Sequence, residues 1–177
     1  MSAERNRPNK LRLIVLYVSA LLIVLIDRVT KVLSETNLEP GVPYQVFPGF
    51  DLLLAYNTGA AFSFLSDAGG WQRWLLTAVS LGVSVFLAGW LAKLPRSQKL
   101  LSIALVFLLG GAAGNLYDRA LTGSVVDFIS VYAGQWRFAT FNIADSAISA
   151  GAALMVLDII LDWKNGKDMG DAGSEHG

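Results

Sequence analysis

The stretch LLSIALVFLLGGAAGNLY, residues 100–117, decides the fold of this chain because it is predominantly apolar and carries no charged residue. A helix that crosses a bilayer needs roughly 20 such residues. Three further, mostly apolar blocks occupy residues 11–33, 74–94 and 141–163. Charged residues make up only 16% of the chain, whereas about a quarter is usual in a soluble domain. We therefore predict an all-α integral membrane protein, a four-transmembrane-helix bundle that forms one domain over residues 11–163.

The basic residues are distributed unevenly, although the net charge is zero. If the N-terminus is cytoplasmic, nine Lys and Arg residues lie in inner segments and five in outer ones. Because such an excess marks cytoplasmic segments, we expect both tails to be cytoplasmic. The N-terminal tail comprises residues 1–10, and the C-terminal tail, residues 164–177, is expected to be flexible. The first block lacks a small-x-small cleavage site, so we interpret it as a retained span. The neutral chain gives no sign of nucleic-acid binding.

The segment between the first two spans is too long for a plain loop in a compact protein. Residues 42–47 and 51–56 are β-prone, and we predict a small β element, about residues 34–56, on the outer face of the bundle. The sequence Asn57-Thr58-Gly59 predicts a turn, since Asn and Gly tolerate left-handed backbone. Residues 60–65 are expected to form a short interfacial helix or a re-entrant piece, and residues 129–138 an outer loop.

The chain offers few groups for other kinds of catalysis. It has no cysteine, which excludes disulfides, thiolate metal sites and cysteine nucleophiles. Its one histidine, His176, lies in the polar C-terminal tail. That position argues against a Ser-His-Asp triad and against a histidine-ligated zinc site. We predict neither a metal nor a cofactor.

Polar residues gather at one end of the predicted bundle. In four antiparallel spans, the ends of the first and third meet the starts of the second and fourth on one side, here the outer side. One face of the fourth span, at spacing i, i+3, i+4 and i+7, carries Asn142, Asp145, Ser146 and Ser149. One face of the third span carries Gly111, Asn115 and Arg119. Gly110 and Gly114 let another helix approach closely, so both polar faces can point into the bundle.

Two aspartates belong to this polar region. Asp127 lies just after the third span, and Asp145 lies about 6 Å along the fourth if that span begins near Phe141. Two carboxylates that share a site cannot both ionise cheaply, so the pair holds one proton. The ionised member can take a proton from water, and the protonated member can donate to a carbonyl oxygen and then to a leaving amine. That is the chemistry of an aspartic peptidase.

Structural roles for the same residues stay open at this point. Asp127 could cap a helix or a loop, and Asp145 could pair with Arg119 or Arg137. Arg119 could serve as a counter-charge for the site, bind a lipid phosphate, or pair with Asp118.

Other polar residues allow two interpretations as well. Asp27 and Lys31 stand four residues apart in the order that favours an ion pair on a helix. We predict a structural pair that steadies the outer end of the first span. Asn57, Asn115 and Asn142 could hold a peptide backbone or could join helices through hydrogen bonds.

Five segments resemble, in order, the motif set of the lipoprotein signal peptidases, signal peptidase II. They are DRVTK at 27–31, YNTGAAF at 56–62, GGAAGNLYDR at 110–119, VVDF at 125–128 and FNIADS at 141–146. The resemblance extends from about residue 11 to residue 163 and has the character of gammaproteobacterial, Pseudomonas-like members. Five motifs in the same order, with four spans between them, are a specific match.

The resemblance implies an intramembrane aspartic endopeptidase of the bacterial inner membrane, with both termini cytoplasmic and the active site at the periplasmic interface. It implies that the substrates are prolipoproteins with diacylglycerol on a cysteine, and that the enzyme cuts before this cysteine to release the signal peptide. It assigns catalysis to Asp127 and Asp145. It assigns substrate-facing and supporting positions to Asn57, Gly59, Gly111, Asn115, Arg119 and Asn142.

The resemblance carries further expectations about structure and partners. The predicted β element corresponds to the family's β-cradle, and the region after Gly59 to its short periplasmic helix. The protein is expected to contact membrane lipid, to bind globomycin-type lipopeptide inhibitors and to work as a monomer.

Two other classes of function are compatible with a small polytopic chain. A proton-coupled transporter could use Asp27 and Asp145 as relay sites, but it predicts polar residues on both sides of the membrane midplane. A non-catalytic lipid-binding protein predicts that either Asp127 or Asp145 can be replaced by Asn without loss of function.

Overall fold

The computed structural model describes residues 10–59 and 71–172. The described part contains four long helices and four strands: α1 (Lys10–Asn37), β1 (Tyr44–Phe47), β2 (Phe50–Asn57), α2 (Trp71–Lys93), α3 (Lys99–Leu121), β3 (Val125–Ala133), β4 (Trp136–Arg137) and α4 (Ile143–Ala172). All four helices are long and apolar enough to cross a membrane, which confirms the predicted bundle with a small β element. The short helix predicted after Gly59 falls at residues 60–70, outside the described residues, and so does most of the N-terminal tail.

Helix α3 lies at the centre of the bundle. In its most apolar window 56% of the residues are buried, against 11% in α1 and 17% in α2 and α4. Two adjacent glycines allow the neighbouring helices to come close. A Cβ atom at Gly110 would lie 2.7 Å from Cβ of Ile23 in α1, and one at Gly111 would collide with the Ala144 carbonyl oxygen of α4. The predicted close approach at the glycines is therefore confirmed, and it places α1 and α4 against the same helix.

The outward faces of the helices are apolar. Leu11 is 68% exposed, Phe86 64% and Ile159 62%. In water each exposed Å² of such surface costs about 25 cal/mol, whereas lipid chains solvate it without that penalty. The buried apolar cluster, which includes Leu91 and Leu105, lies near the connection between α2 and α3. At the opposite end of the bundle, many of the buried side chains are polar.

The β element is an antiparallel sheet with the strand order β1-β2-β3-β4. Strand β3 pairs with β2, with Asp127 opposite Ala55 and Ser130 opposite Asp51. The β element predicted at about residues 34–56 contains β1 and nearly all of β2, and the sheet is larger than predicted because its other two strands follow α3. The predicted outer loop at residues 129–138 is largely the rest of β3 together with β4. The sequence VVDFISVYA of β3 is rich in β-branched and aromatic residues, which favour strands.

Two helix ends differ from the predicted ones. Helix α1 continues to Asn37, so the beginning of the predicted cradle is helical. Helix α4 continues to Ala172, so the first part of the predicted flexible tail is helical as well. Backbone hydrogen bonding within a helix can continue past the apolar run, and hydropathy alone therefore underestimates the length of a helix.

Candidate active site

Asp127 lies on β3 and is almost completely buried, with 1% of its surface exposed. Two side-chain amides donate to its carboxylate. Asn57 Nδ2 lies 3.1 Å from Oδ2, and Asn142 Nδ2 lies 2.8 Å from Oδ1. The sequence placed Asp127 just after the third span without assigning it to a strand. The β-prone run around Asp127 was the available signal for a strand, and the strand fixes the direction of this carboxylate.

Asp145 lies in the first turn of α4 and is half-buried. The backbone N–H of Asp145 donates to Asn142 Oδ1 at 2.9 Å, and the backbone N–H of Asn142 donates to Asp145 Oδ2 at 3.3 Å. This reciprocal pair is a capping box, in which the residue before the helix and the third helical residue satisfy each other's backbone donors. The spacing Asn-x-x-Asp before an apolar run is a sequence signal for it. The cap fixes both the start of α4 and the position of the Asp145 carboxylate.

Asn142 contacts both aspartates. Its Nδ2 donates to Asp127, and its backbone N–H donates to Asp145. Nδ2 also lies 3.2 Å from the Val126 carbonyl oxygen and 3.2 Å from Asn115 Oδ1. Since Asn142 has no exposed surface, all of these contacts are shielded from water. One buried amide therefore joins the strand that carries Asp127 to the helix that carries Asp145.

Asn115 on α3 supports Asp145 from the other side. Its Nδ2 donates to Asp145 Oδ1 at 2.7 Å. Gly111, one turn earlier on the same helix, leaves room for the Ala144 carbonyl oxygen and for Ile148 of α4. A side chain at position 111 would push the first turn of α4 away from α3. Gly111 thus contributes to the site by the space that it leaves.

The environment of Asp127 favours a proton on this carboxyl. Burial raises its pKa from the ordinary 3.8 to about 6. The hydrogen bond from Asn57 opposes the shift, and the negative charge of Asp145 adds to it. The hydrogen bond from Asn142 and the positive charge of Lys31 also lower the pKa. Asp127 and Asp145 are therefore close enough to influence each other's charge, and a carboxyl of this kind can exchange protons near neutral pH.

A buried cluster of charges lies behind the aspartates, and we call Asp27, Lys31 and Asp118 the charge hub. Lys31 Nζ lies 2.7 Å from Asp27 Oδ2 and 2.8 Å from Asp118 Oδ2. None of the three side chains is more than 2% exposed. The sequence suggested the pair of Asp27 and Lys31 but not the third member, because Asp118 is distant in the chain and next to Arg119. Asp118 is also 3.6 Å from Arg28.

The remaining candidate residues lie at different distances from this network. The backbone N–H of Gly59 donates to Asn57 Oδ1 at 2.9 Å, and Gly59 has φ +95°, as the predicted turn requires. Arg119 Nη1 lies 3.4 Å from Ser80 Oγ of α2, and in the described part of the chain Arg119 makes no hydrogen bond or ion pair with Asp127 or Asp145.

The ion pairs considered as alternatives for these residues are not those that form. Arg137 binds Asp51 at 2.7 Å, on the sheet. Asp118 pairs with Lys31 and Arg28 rather than with Arg119. Among residues 10–59 and 71–172, the ion pairs do not include Asp145. The side chain of Asp145 accepts hydrogen bonds from Asn115 and Asn142 instead.

Comparison with known proteins agrees with this geometry. A family model described as Signal peptidase (SPase) II matches residues 19–161. The lipoprotein signal peptidase of Ectopseudomonas mendocina is 51% identical over 151 residues, which cover 84% of this chain and 89% of that protein. The lipoprotein signal peptidase of Teredinibacter turnerae is 48% identical over 167 residues, which cover 94% of this chain and 99% of that protein.

A solved structure has a similar fold. It is described as a bacterial membrane enzyme determined by the in meso method at 1.9 Å resolution. It is similar with a TM-score of 0.72 and 29% sequence identity, over 82% of this chain and 92% of that one. The family model and both relatives extend over most of the chain, and the chain therefore belongs to the signal peptidase II family, the lipoprotein signal peptidases.

Proposed function

We propose that the chain removes signal peptides from diacylglyceryl-modified prolipoproteins by cutting before the lipidated cysteine, with Asp127 and Asp145 as the catalytic pair. The observation that carries the proposal is the bridge through Asn142, which donates to both carboxylates from one buried position. A pair of aspartates held together in this way, with one carboxyl buried, has the protonation behaviour that peptide hydrolysis requires.

In the proposed reaction the two carboxylates share one proton. The ionised member takes a proton from water, and the water oxygen bonds to the carbonyl carbon of the scissile peptide. The protonated member donates its proton to the carbonyl oxygen. When the tetrahedral intermediate collapses, the C–N bond breaks and the proton taken from water goes to the leaving amine. Burial favours the shared proton on Asp127, whose pKa is raised to about 6, although such a pair titrates jointly.

The surrounding residues have supporting roles in this proposal. Asn57 and Asn142 hold Asp127 through their amide groups, and Asn115 holds Asp145. Gly59 allows the turn that follows Asn57, and Gly111 allows α4 to approach α3 at the site. Arg119 lies at the end of α3 nearest the aspartates and is proposed to contact the substrate or its lipid.

The proposed orientation has the sheet and the aspartates on the periplasmic side of the inner membrane and both termini in the cytoplasm. The excess of Lys and Arg in the segments at the other end of the bundle supports it. A diacylated substrate partitions into the membrane and presents its cleavage site at this interface. Globomycin-type lipopeptides are expected to occupy the same site, and a monomer has every residue that the mechanism uses.

The proposal is tested by cleavage of a purified diacylglyceryl-modified prolipoprotein in detergent, with a chelator present. Asp127→Asn and Asp145→Asn are each expected to abolish cutting while the protein stays folded. Asp162→Asn is the matched control, because Asp162 lies on α4 as well but is exposed at its far end, and this variant should cut like the wild type. Cutting by either Asp127→Asn or Asp145→Asn at near wild-type rate contradicts the assignment. Cleavage without any ion gradient also separates a peptidase from a proton-coupled transporter.

A further inference from the structure

The charge hub contains three buried charges that the proposed reaction does not use. Lys31 Nζ has three acceptors within hydrogen-bonding distance: Asp27 Oδ2 at 2.7 Å, Asp118 Oδ2 at 2.8 Å and Asn115 Oδ1 at 3.2 Å. Lys31 itself has no exposed surface. Taking such charges out of water is costly, and replacement of a buried ion pair by apolar residues is often neutral for stability or even stabilising. Stability alone is therefore a weak reason for this arrangement.

Each carboxylate of the hub also holds the backbone next to one aspartate of the catalytic pair. Asp27 Oδ1 accepts the backbone N–H of Ala144 at 2.8 Å, and Ala144 directly precedes Asp145. Asp118 Oδ2 accepts the backbone N–H of Val126 at 3.4 Å, and Val126 directly precedes Asp127. The hub therefore contacts the helix and the strand that carry the pair, in each case one residue away from the carboxylate.

A third connection passes through Asn115. Because Lys31 donates to Oδ1 of this amide, the carbonyl side faces the hub and Nδ2 points the other way. Nδ2 then donates to Asp145 Oδ1 at 2.7 Å. Lys31 thus helps to set the orientation of the Asn115 amide, together with Asn142 Nδ2, which also donates to Asn115 Oδ1 at 3.2 Å. A reversed amide would present its oxygen to the Asp145 carboxylate.

We propose that Lys31 is a positioning residue of the peptidase, which sets the separation of the Asp127 and Asp145 carboxylates through Asp27, Asp118 and Asn115. The inference rests on the proposed function. The two carboxylates belong to a strand and a helix that are distant in sequence, so a third element must hold them in register. Helix α1 supplies this element, although, among the described residues, Lys31 and Asp27 do not hydrogen-bond directly to either catalytic carboxylate.

Loss of Lys31 has a direct structural consequence. Asp27 and Asp118 would face each other without the ammonium group between them, and like charges in a buried site repel. Their separation would carry Ala144 and Val126 apart. A misplacement of about 1 Å at a catalytic group can reduce the rate about 100-fold. The effect belongs to the chemical step, so substrate binding should change little.

The test compares Lys31→Met with the wild type in the detergent cleavage assay, with kcat expressed per folded molecule. The folded fraction is measured by tryptophan fluorescence during heating, for which the chain has five Trp residues. We expect kcat to fall about 10- to 100-fold while KM changes less than about twofold. We also expect the alkaline limb of the kcat profile to move to higher pH, since the charge of Lys31 lowers the pKa of Asp127.

Arg28→Met is the matched control. Arg28 lies on the same helix as Lys31 and also contacts Asp118, at 3.6 Å, but it is part-exposed. Within the described residues it makes no hydrogen bond or ion pair with Asp27 or Asn115. This variant should keep kcat within about twofold of the wild type. A loss in Arg28→Met equal to that in Lys31→Met would overturn the proposal, since the charge around Asp118 would then be sufficient to explain both.

A second variant covers the case in which Lys31→Met does not fold. Lys31→Met/Asp27→Asn removes one charge of each sign, leaves Asp118 with Arg28, and keeps an oxygen at position 27 for the Ala144 N–H. It should fold and still show the loss in kcat, because Asn115 Oδ1 then keeps only the hydrogen bond from Asn142, and Lys31 no longer joins Asn115 to Asp118. A folded variant with wild-type kcat overturns the proposal. If neither variant folds, Lys31 has a purely structural role and the proposal fails too.

The two proposals fail in different ways. If Asp127→Asn or Asp145→Asn still cuts, the catalytic pair is wrong, whatever Lys31→Met does. If both are inactive while folded Lys31→Met cuts at the wild-type rate with an unchanged pH profile, the pair stands and only the positioning role is lost.

Discussion

Replacement of Asn142 tests whether one residue both caps α4 and holds the proposed catalytic pair, Asp127 and Asp145. Its Oδ1 accepts the Asp145 N–H at 2.9 Å, and its Nδ2 donates to Asp127 Oδ1 at 2.8 Å. Asn142→Ala removes both functions. Loss of an N-cap costs about 0.5–2 kcal/mol, and loss of a hydrogen bond to a charged group costs about 1.5–3 kcal/mol. We therefore expect the Ala variant to lose roughly 2–5 kcal/mol of stability.

Asn142→Ser separates the two contributions. A serine hydroxyl is as good an N-cap as an asparagine amide, so the Ser variant should lose only the second contribution, about 1.5–3 kcal/mol. Both variants should cut at least about tenfold more slowly, because the bridge between Asp127 and Asp145 is missing in each. The expected pattern is a clear difference in stability between Ser and Ala without a corresponding difference in kcat.

The pH profile provides an independent readout for the same variants. The hydrogen bond from Asn142 stabilises the ionised form of Asp127 and lowers its pKa. Its loss should raise that pKa further above about 6, which moves the alkaline limb of kcat to higher pH. Stability is measured as the melting temperature in detergent, and kcat on the diacylglyceryl-modified substrate. The reasoning is refuted if Asn142→Ala cuts near the wild-type rate, or if Ser and Ala are equally destabilised.

Two further predictions concern packing and pH. Gly111→Ala should lower both the melting temperature and kcat, because the added Cβ would collide with the Ala144 carbonyl oxygen. Its control is Gly89→Ala on α2, where the added Cβ meets open space; this variant should be neutral or stabilising by up to about 1 kcal/mol. Equal effects of the two substitutions would contradict the packing argument. Asp127→Asn removes one of the two oxygens that accept from Asn57 and Asn142, and this loss applies at every pH. The melting temperature of the variant relative to that of the wild type should therefore be more favourable at pH 7.5 than at pH 4. The reason is that a folded pKa of about 6, above the ordinary 3.8, destabilises the native state as the pH rises through that interval. A difference between variant and wild type that is the same at both pH values, or more favourable at pH 4, would show that ionisation of Asp127 does not destabilise the folded protein.

The sequence predicted the parts of this structure that depend on local composition. Four spans followed from the length of the apolar blocks, since a bilayer forces each crossing segment to satisfy its own backbone hydrogen bonds. The turn before Gly59 followed from Asn and Gly, and the close contact at Gly110 from the absence of a side chain. The five motifs also contain the two aspartates that the structure places on β3 and in the first turn of α4. All of these features are encoded within a few neighbouring residues.

Only the tertiary structure decided how these residues meet. Strand β3 exists because residues around Asp127 pair with β2, which lies some 70 positions earlier in the chain, and no local pattern names a partner at that distance. In the same way, Asp118 binds Lys31 of another helix although Arg119 is its neighbour in sequence. Hydrogen bonds and ion pairs depend on distances between atoms in space. The sequence therefore determined which groups are available, and the packing of α1, α3, β3 and α4 determined which of them act together.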